Sequence, residues 1–261
     1  MAHVARKRFG QHFLHDTAVI RRILDALAPK PGDRIVEIGP GQGALTLPLL
    51  ERVGGLHAVE LDRDLIPALR AAAQGKGMLH LHVADALSFD FSTLAPPVGK
   101  LRLVGNLPYN ISTPLLFHVL AQKHVITDML FMLQKEVVDR MAAQAGDPAY
   151  GRLSVTVAAQ AAVETLFGVG PGAFRPPPQV ESAVVRITPR APAYAIESAA
   201  TFEQVVSAAF SQRRKTLANA LRKQLSPAEI ASLDIDPRLR PERITPAEYA
   251  RIANLLAGRS G

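Results

Sequence analysis

Asn106-Leu107-Pro108-Tyr109 is the stretch of this chain whose residue types most clearly suggest a reaction. The asparagine side-chain oxygen and the next backbone carbonyl are two acceptors. Aimed at the hydrogens of an exocyclic base amine, they favour its pyramidal form and direct outward a lone pair otherwise delocalised into the ring. Pro108 holds φ at about −65°, and Tyr109 offers a π face on which a flat base can stack. Such a turn suits transfer of a methyl group to adenine N6. An alkylated amine is acidic, so no strong general base is required, and alignment can supply roughly 7 kcal/mol or more of the barrier. A base buried in a duplex cannot reach such a site, so the acceptor must be single-stranded or flipped out. Asparagine and proline also build ordinary turns, and the motif gains weight only from its surroundings.

Upstream, Glu37-Ile38-Gly39-Pro40-Gly41-Gln42-Gly43 follows an apolar run and leads into a helical pattern. Gly39, Gly41 and Gly43 let backbone amides approach a ligand without a Cβ in the way, at the positive end of a helix. Gly39–Ala44 also satisfies the looser dinucleotide fingerprint, and a tight turn with no ligand is a third reading. Glu60, at the end of the next strand, can accept from ribose hydroxyls in either kind of enzyme. Asp85, after the third strand, is positioned to accept from an adenine amine, or else caps a turn. A dehydrogenase has no use for Asn106–Tyr109. The combination favours S-adenosylmethionine as the cofactor.

These residues need a scaffold, and residues 33–133 alternate short β-rich runs with helical stretches, the pattern of βαβ units on a parallel sheet. Strands are predicted at 34–38, 56–61, 79–83, 101–105 and 129–133. Helices are predicted at 45–52, 65–74 and 113–121, the last capped by Ser112. This is a doubly wound α/β domain. Residues 153–166 are mixed in pattern. The Pro176-Pro177-Pro178 run leads stiffly into a last strand at 182–187. Two further prolines at 188–196 mark the domain boundary, giving a first domain over 1–188 with a basic segment at 1–16, and a small helical domain over 197–261. In the latter, Val206, Phe210, Leu217, Leu221 and Leu225 fall on one face of a continuous helix, with Arg213, Arg214, Lys215, Arg222 and Lys223 elsewhere around it. Ser226-Pro227 and Thr245-Pro246 read as N-caps followed by proline at the first helical position.

The 261 residues are 48% hydrophobic and lack cysteine, which excludes disulfides, thiolate metal sites and a cysteine nucleophile. No metal site is predicted. Thirty basic against twenty-three acidic residues leave +7, a balance that favours a polyanionic partner. No window approaches a membrane span, and Met1–Arg8 has no apolar run behind its charges. A soluble cytoplasmic protein with no membrane partner is expected, and no heptad suggests anything but a monomer.

Taken together, Arg8–Leu14, Glu37–Gly43, Glu60, Asp85, Asn106–Asn110, Phe174–Val180 and Gln212–Leu217 resemble, in order and spacing, the ribosomal small-subunit RNA adenine dimethyltransferases. The resemblance spans nearly the whole chain. It implies a Rossmann-like class I methyltransferase domain with a helical C-terminal domain that contacts RNA. The implied reaction converts two adjacent adenines near the 3′ end of 16S rRNA, in the small ribosomal subunit, to N6,N6-dimethyladenine. By matching position, His12, Leu14, Gly39, Gly41, Glu60, Leu61, Asp85, Ala86 and Asn106 hold the cofactor, and Phe174 is a second aromatic wall opposite Tyr109. The family commonly has asparagine at the place of His12, and a neutral imidazole can likewise donate a hydrogen bond. Arg6, Lys7 and Arg8, with Arg213, Arg214, Lys215, Arg222 and Lys223, are expected to meet RNA phosphate. Shape-reading of a folded RNA agrees with the absence of tryptophan and the 5% aromatic content. The competing readings are a large-subunit adenine methyltransferase of the macrolide-resistance type and a non-catalytic assembly or transcription factor.

Overall fold

The computed structural model describes residues 11–212 and 214–259. The chain divides into two compact units, one running up to Val138 with Glu164–Pro189, the other formed by Asp139–Val163 and the residues from Arg190 onward.

The first unit opens with β1 (Phe13–Leu14) and α1 (Thr17–Leu27), and then alternates β2 (Ile35–Ile38), α2 (Thr46–Val53), β3 (Gly55–Glu60), α3 (Ile66–Ala73) and β4 (Met78–Val83). It continues through β5 (Leu101–Asn106), α4 (Ser112–Ala121) and β6 (Ile126–Gln134), and ends in β7 (Ala161–Val169), β8 (Phe174–Arg175) and β9 (Ser182–Pro189). The main sheet has the order β4-β3-β2-β5-β6-β9-β7. Its first five strands pair in parallel, and β9 runs antiparallel to β6. All four residues of β2 are buried, as expected of a central parallel strand covered on both faces.

From β2 the chain steps outward to β3 and β4 and then returns to the other side of β2 as β5. The strand order therefore reverses between β2 and β5, and ligands of open α/β sheets bind in the crevice beyond such a point. The glycine loop follows β2, and Asn106 ends β5. The two strands come so close there that a Cβ on Gly105 would lie 2.5 Å from the Ile38 carbonyl oxygen. At the opposite end, Arg102 on β5 forks onto Asp128 (2.8 and 2.9 Å) and also reaches Asp33 (2.9 Å) and the Leu27 carbonyl (2.7 Å). On β3 and β4, His57 Nδ1 lies 3.0 Å from His82 Nε2, and the His57 ring stacks on His80.

α5 (Lys135–Ala142) begins in the first unit and ends in the second, which holds α6 (Arg152–Ala158), α7 (Ala199–Phe210), α8 (Leu217–Leu221), α9 (Pro227–Ala231) and α10 (Pro246–Ala257). Ser226 and Thr245 are N-caps as predicted, each in a reciprocal box with Glu229 or Glu248.

Several expectations are corrected. Residues 139–163 fall within the span expected to belong to the first domain, but Tyr150, Val155 and Ala159 pack into the second unit's core. Residues 153–166 divide into α6 and β7. The helix expected through Val206 to Leu225 is broken: α7 stops at Phe210, and Thr216 caps α8 by accepting from the Asn219 N–H. Both sides of the break still feed the same core. Ser112 is the first helical residue of α4, not its cap, and its hydroxyl donates to the Pro108 carbonyl at 3.0 Å.

Candidate active site

One cavity of the first unit gathers most of the residues singled out from the sequence. It is lined by His12, Gly39, Gly41, Glu60, Leu61, Asp85, Ala86, Asn106, Leu107, Pro108 and Tyr109, together with Phe13, Ile38, Asp62 and Leu87 among others. Leu14 and Phe174 do not line it. They are Cα partners in the β1–β8 pair, and both are buried in the first unit's core, Phe174 only 2% exposed. The second aromatic wall expected at Phe174 is therefore absent from the cavity.

Each strand end contributes one part. After β2, Gly39 and Gly41 take positive φ values of 69° and 56°, the region glycine occupies without penalty. A Cβ on Gly41 would press on the Phe13 ring at 3.2 Å. The loop is tied to β3: Glu60 accepts from the Gly41 N–H at 3.1 Å and from the Asp62 N–H at 2.8 Å. Burial raises the Glu60 pKa, and these backbone donors oppose the rise. Leu61 follows, 48% exposed, an apolar platform at the cavity edge. After β4, Asp85 accepts from the Leu87 N–H at 2.9 Å.

After β5, the Asn106 amide nitrogen donates to the His12 carbonyl at 2.9 Å. A carbonyl oxygen can only face the NH2 side of the amide, so this bond orients the side chain and leaves Oδ1 as its acceptor. The Leu107 N–H donates to the Met132 carbonyl at 3.1 Å, and the Pro108 carbonyl accepts from the Ile111 N–H and from Ser112 Oγ. None of these bonds uses the Leu107 carbonyl. Tyr109 is partly buried, with its hydroxyl 2.6 Å from Ser182 Oγ. Burial raises its pKa against that hydrogen bond, so it is a neutral ring at physiological pH. The His12 imidazole stacks on it, with centroids 5.5 Å apart.

Beneath the glycine loop lies a residue that sequence reasoning passed over. Glu37 on β2 is 2% exposed and accepts from Thr46 Oγ at 2.6 Å. Burial pushes its pKa up to about 8, partly offset by Thr46. The available signal was an acid in an otherwise apolar strand just before the glycines.

Among the residues expected to meet RNA, Arg214, Lys215, Arg222 and Lys223 are exposed in the second unit. Arg6, Lys7, Arg8 and Arg213 lie outside the described residues. Among the described residues, no group of three or more His, Asp or Glu could hold a metal ion, and no helix is long and apolar enough to cross a membrane.

The family model described as ribosomal RNA adenine dimethylase matches residues 2–258. The chain belongs to this family. As a ribosomal RNA adenine dimethylase it is an S-adenosylmethionine-dependent methyltransferase acting on ribosomal RNA. It is 58% identical over 250 residues to ribosomal RNA small subunit methyltransferase A of Nitrosococcus oceani, covering 95% of each chain. To the Pseudomonas aeruginosa protein of the same name it is 54% identical over 260 residues, 99% of this chain and 97% of the other. The fold is that of a dimethyladenosine transferase from Plasmodium falciparum (TM-score 0.80, 24% identity, 95% and 98% covered). It is also that of the 23S rRNA methyltransferase ErmE (TM-score 0.72, 24% identity, 94% and 99% covered). The cavity suits the dimethylase cofactor: it offers a glycine turn that a side chain would fill, a buried acid at the end of β3, a second acid after β4 and apolar walls at Ile38, Leu61 and Leu87.

Proposed function

We propose that this protein methylates N6 of two adjacent adenines near the 3′ end of 16S rRNA, giving N6,N6-dimethyladenosine during biogenesis of the small ribosomal subunit. The observation that carries the proposal is the common cavity of the Asn106–Tyr109 turn and the glycine loop. The small-subunit names of the relatives support the choice of RNA.

In this reading Gly39 and Gly41 admit the cofactor, Glu60 and Leu61 hold its ribose side and Asp85 and Ala86 its base side. His12 and Leu14 belong to the segment that closes over Asn106. When bound, S-adenosylmethionine supplies an electrophilic methyl on a positively charged sulfur. The chain's own part is to prepare the nucleophile. Asn106 Oδ1 and the Leu107 carbonyl accept from the two N6 hydrogens, Pro108 fixes the turn, and Tyr109 stacks the base and excludes water from one face. The amine loses one proton to solvent for each methyl it gains. The fixed amide of Asn106 is preorganised, so little reorganisation is needed as charge develops. Phe174 acts from the core, seating β8 against β1. Arg214, Lys215, Arg222 and Lys223, with Arg6, Lys7, Arg8 and Arg213, neutralise RNA phosphates. The working species is a monomer in the cytoplasm, where immature small subunits are found.

The test is to incubate the protein with S-adenosylmethionine and unmethylated small subunits, naked 16S rRNA or large subunits, and to map modified bases by mass spectrometry. Dimethyladenine confined to the 3′ end of small-subunit RNA is expected. Asn106→Ala should lower transfer by about 10²-fold or more, the usual effect of removing one preorganised polar partner, while costing only the roughly 0.5–1.5 kcal/mol of stability expected from the lost bond to the His12 carbonyl. Methylation of large subunits alone would refute the assignment.

A further inference from the structure

The Asn106–Tyr109 turn is fastened to one antiparallel strand pair at two points. The Leu107 N–H donates to the Met132 carbonyl of β6 at 3.1 Å. The Tyr109 hydroxyl lies 2.6 Å from Oγ of Ser182, the first residue of β9. Ser182 faces Gln134 across the β6–β9 pair, two residues along from Met132, and the Lys135 N–H donates to the Glu181 carbonyl just before it at 2.9 Å. Both anchors therefore sit in one hydrogen-bonded frame. Ser182 is fully buried and does not line the cavity. Tyr109 is the hydrogen-bond partner of its hydroxyl among the described residues. A Tyr109 ring that swung away would leave that hydroxyl buried and orphaned, which costs more than the net contribution of the bond itself. The ring plane is thus set by the sheet before any base arrives.

This frame matters more for the second methyl than for the first. An unmodified adenine amine has two hydrogens, held in the proposed function by Asn106 Oδ1 and the Leu107 carbonyl. The monomethylated amine has one, so one acceptor has lost its grip and stacking on Tyr109 must supply more of the alignment. In each transfer the amine nitrogen bonds the methyl carbon, the electrons of the broken carbon–sulfur bond remain on sulfur, and one N–H proton passes to solvent. We infer that Ser182 is a positioning residue for the second methylation, keeping the stacking face of Tyr109 in place when a single N6 hydrogen is left to orient the base. The inference rests on the proposed function, because it takes Tyr109 as the surface on which adenine stacks.

Unmethylated small subunits are mixed with excess protein and saturating S-adenosylmethionine, and N6-methyladenosine and N6,N6-dimethyladenosine are followed in time by mass spectrometry. The wild type is compared with Ser182→Ala, with Tyr109→Phe, which keeps the ring and removes its hydroxyl, and with the double variant. Calorimetry gives the affinity and stoichiometry of S-adenosylmethionine binding, and thermal melts report folding. Each single variant is expected to slow the second transfer about two- to tenfold, the net contribution of one hydrogen bond, to slow the first by less, and to accumulate monomethyladenine. The double variant should match the singles, because each removes the same contact. Cofactor binding should be unchanged. An unchanged ratio of mono- to dimethyladenine in Tyr109→Phe overturns the inference, even where Ser182→Ala does not fold. A double variant whose slowing is the product of the two singles also overturns it. So does equal slowing of both transfers, since Ser182 would then support the site as a whole. A wild type that makes no dimethyladenine overturns the proposed function itself, whereas a dimethylating wild type beside an unaffected Tyr109→Phe variant leaves that function standing.

Discussion

Glu37→Gln should make the protein more stable at neutral pH. The buried carboxyl has a pKa of about 8 in the fold against 4.5 for an ordinary glutamate. Between those values the folded chain keeps a proton that the unfolded chain has released, so stability falls as pH rises. It is fully present below about pH 4.5 and lost on the way to about pH 8. Between about pH 5.5 and pH 7.5 the linkage amounts to about 2–3 kcal/mol, because stability drops by about 1.4 kcal/mol for every tenfold fall in proton concentration across that window. Glutamine has the same shape, keeps an oxygen for Thr46 Oγ and never ionises. Urea unfolding of wild type and variant at the two pH values isolates the effect, because every other titrating group is shared. The difference between the two proteins should widen by about 2–3 kcal/mol toward the higher pH, in favour of the variant. Parallel pH dependence of the two proteins would refute the buried neutral acid.

His57, whose pKa is pushed down to about 4 chiefly by burial and then by His80, His82 and Arg34, has the opposite sign. Its contribution is present above about pH 6.5 and lost as pH falls through about 4, so His57→Gln should flatten the acid limb of a thermal-melt pH series. Gly105→Ala drives a Cβ to 2.5 Å from the Ile38 carbonyl oxygen, and should cost about 1–3 kcal/mol or more by thermal unfolding; an unchanged melting temperature would deny the close approach. Phe174→Ala should destabilise by about 3–5 kcal/mol, as truncation of a core aromatic does, measurable by denaturant unfolding, whereas a cavity wall would lose little. Replacing Arg214, Lys215, Arg222 and Lys223 by glutamine should lower RNA affinity and flatten its dependence on salt, the log–log slope falling by roughly one for each phosphate no longer neutralised.

The parallel half of the sheet was legible because each of its strands is a short apolar run between helical stretches. Predicted 34–38 and 101–105 became Ile35–Ile38 and Leu101–Asn106. The cavity was legible for the same reason, since its residues sit just beyond strand ends, which the apolar runs locate. What the sequence concealed depends on long-range pairing. Phe174 was expected as a wall by matching position in the family resemblance; pairing with Leu14, far off in the chain, turns it inward. The break after Phe210 was hidden because apolar spacing reports which residues face a core, and residues on both sides of the break face the same one. The His12 ring beside Tyr109 depends on Pro176, and no local pattern announces that pairing.

The second unit is assembled from two stretches of chain separated by β7, β8 and β9. Tyr150, which enters that unit's core early in the sequence, donates its hydroxyl to the Ile244 carbonyl at 2.8 Å. During synthesis, residues 139–163 emerge long before the helices they will pack against, and their apolar side chains must wait. Closing a loop of this length adds little entropy cost at equilibrium, but such non-local closure slows folding. A fragment cut at Pro189 would leave Tyr150 and Val155 without most of the cluster that buries them. The useful place to divide this protein for expression is therefore not the proline-rich boundary, and a nascent-chain assay should find the segment protease-sensitive until α10 has emerged.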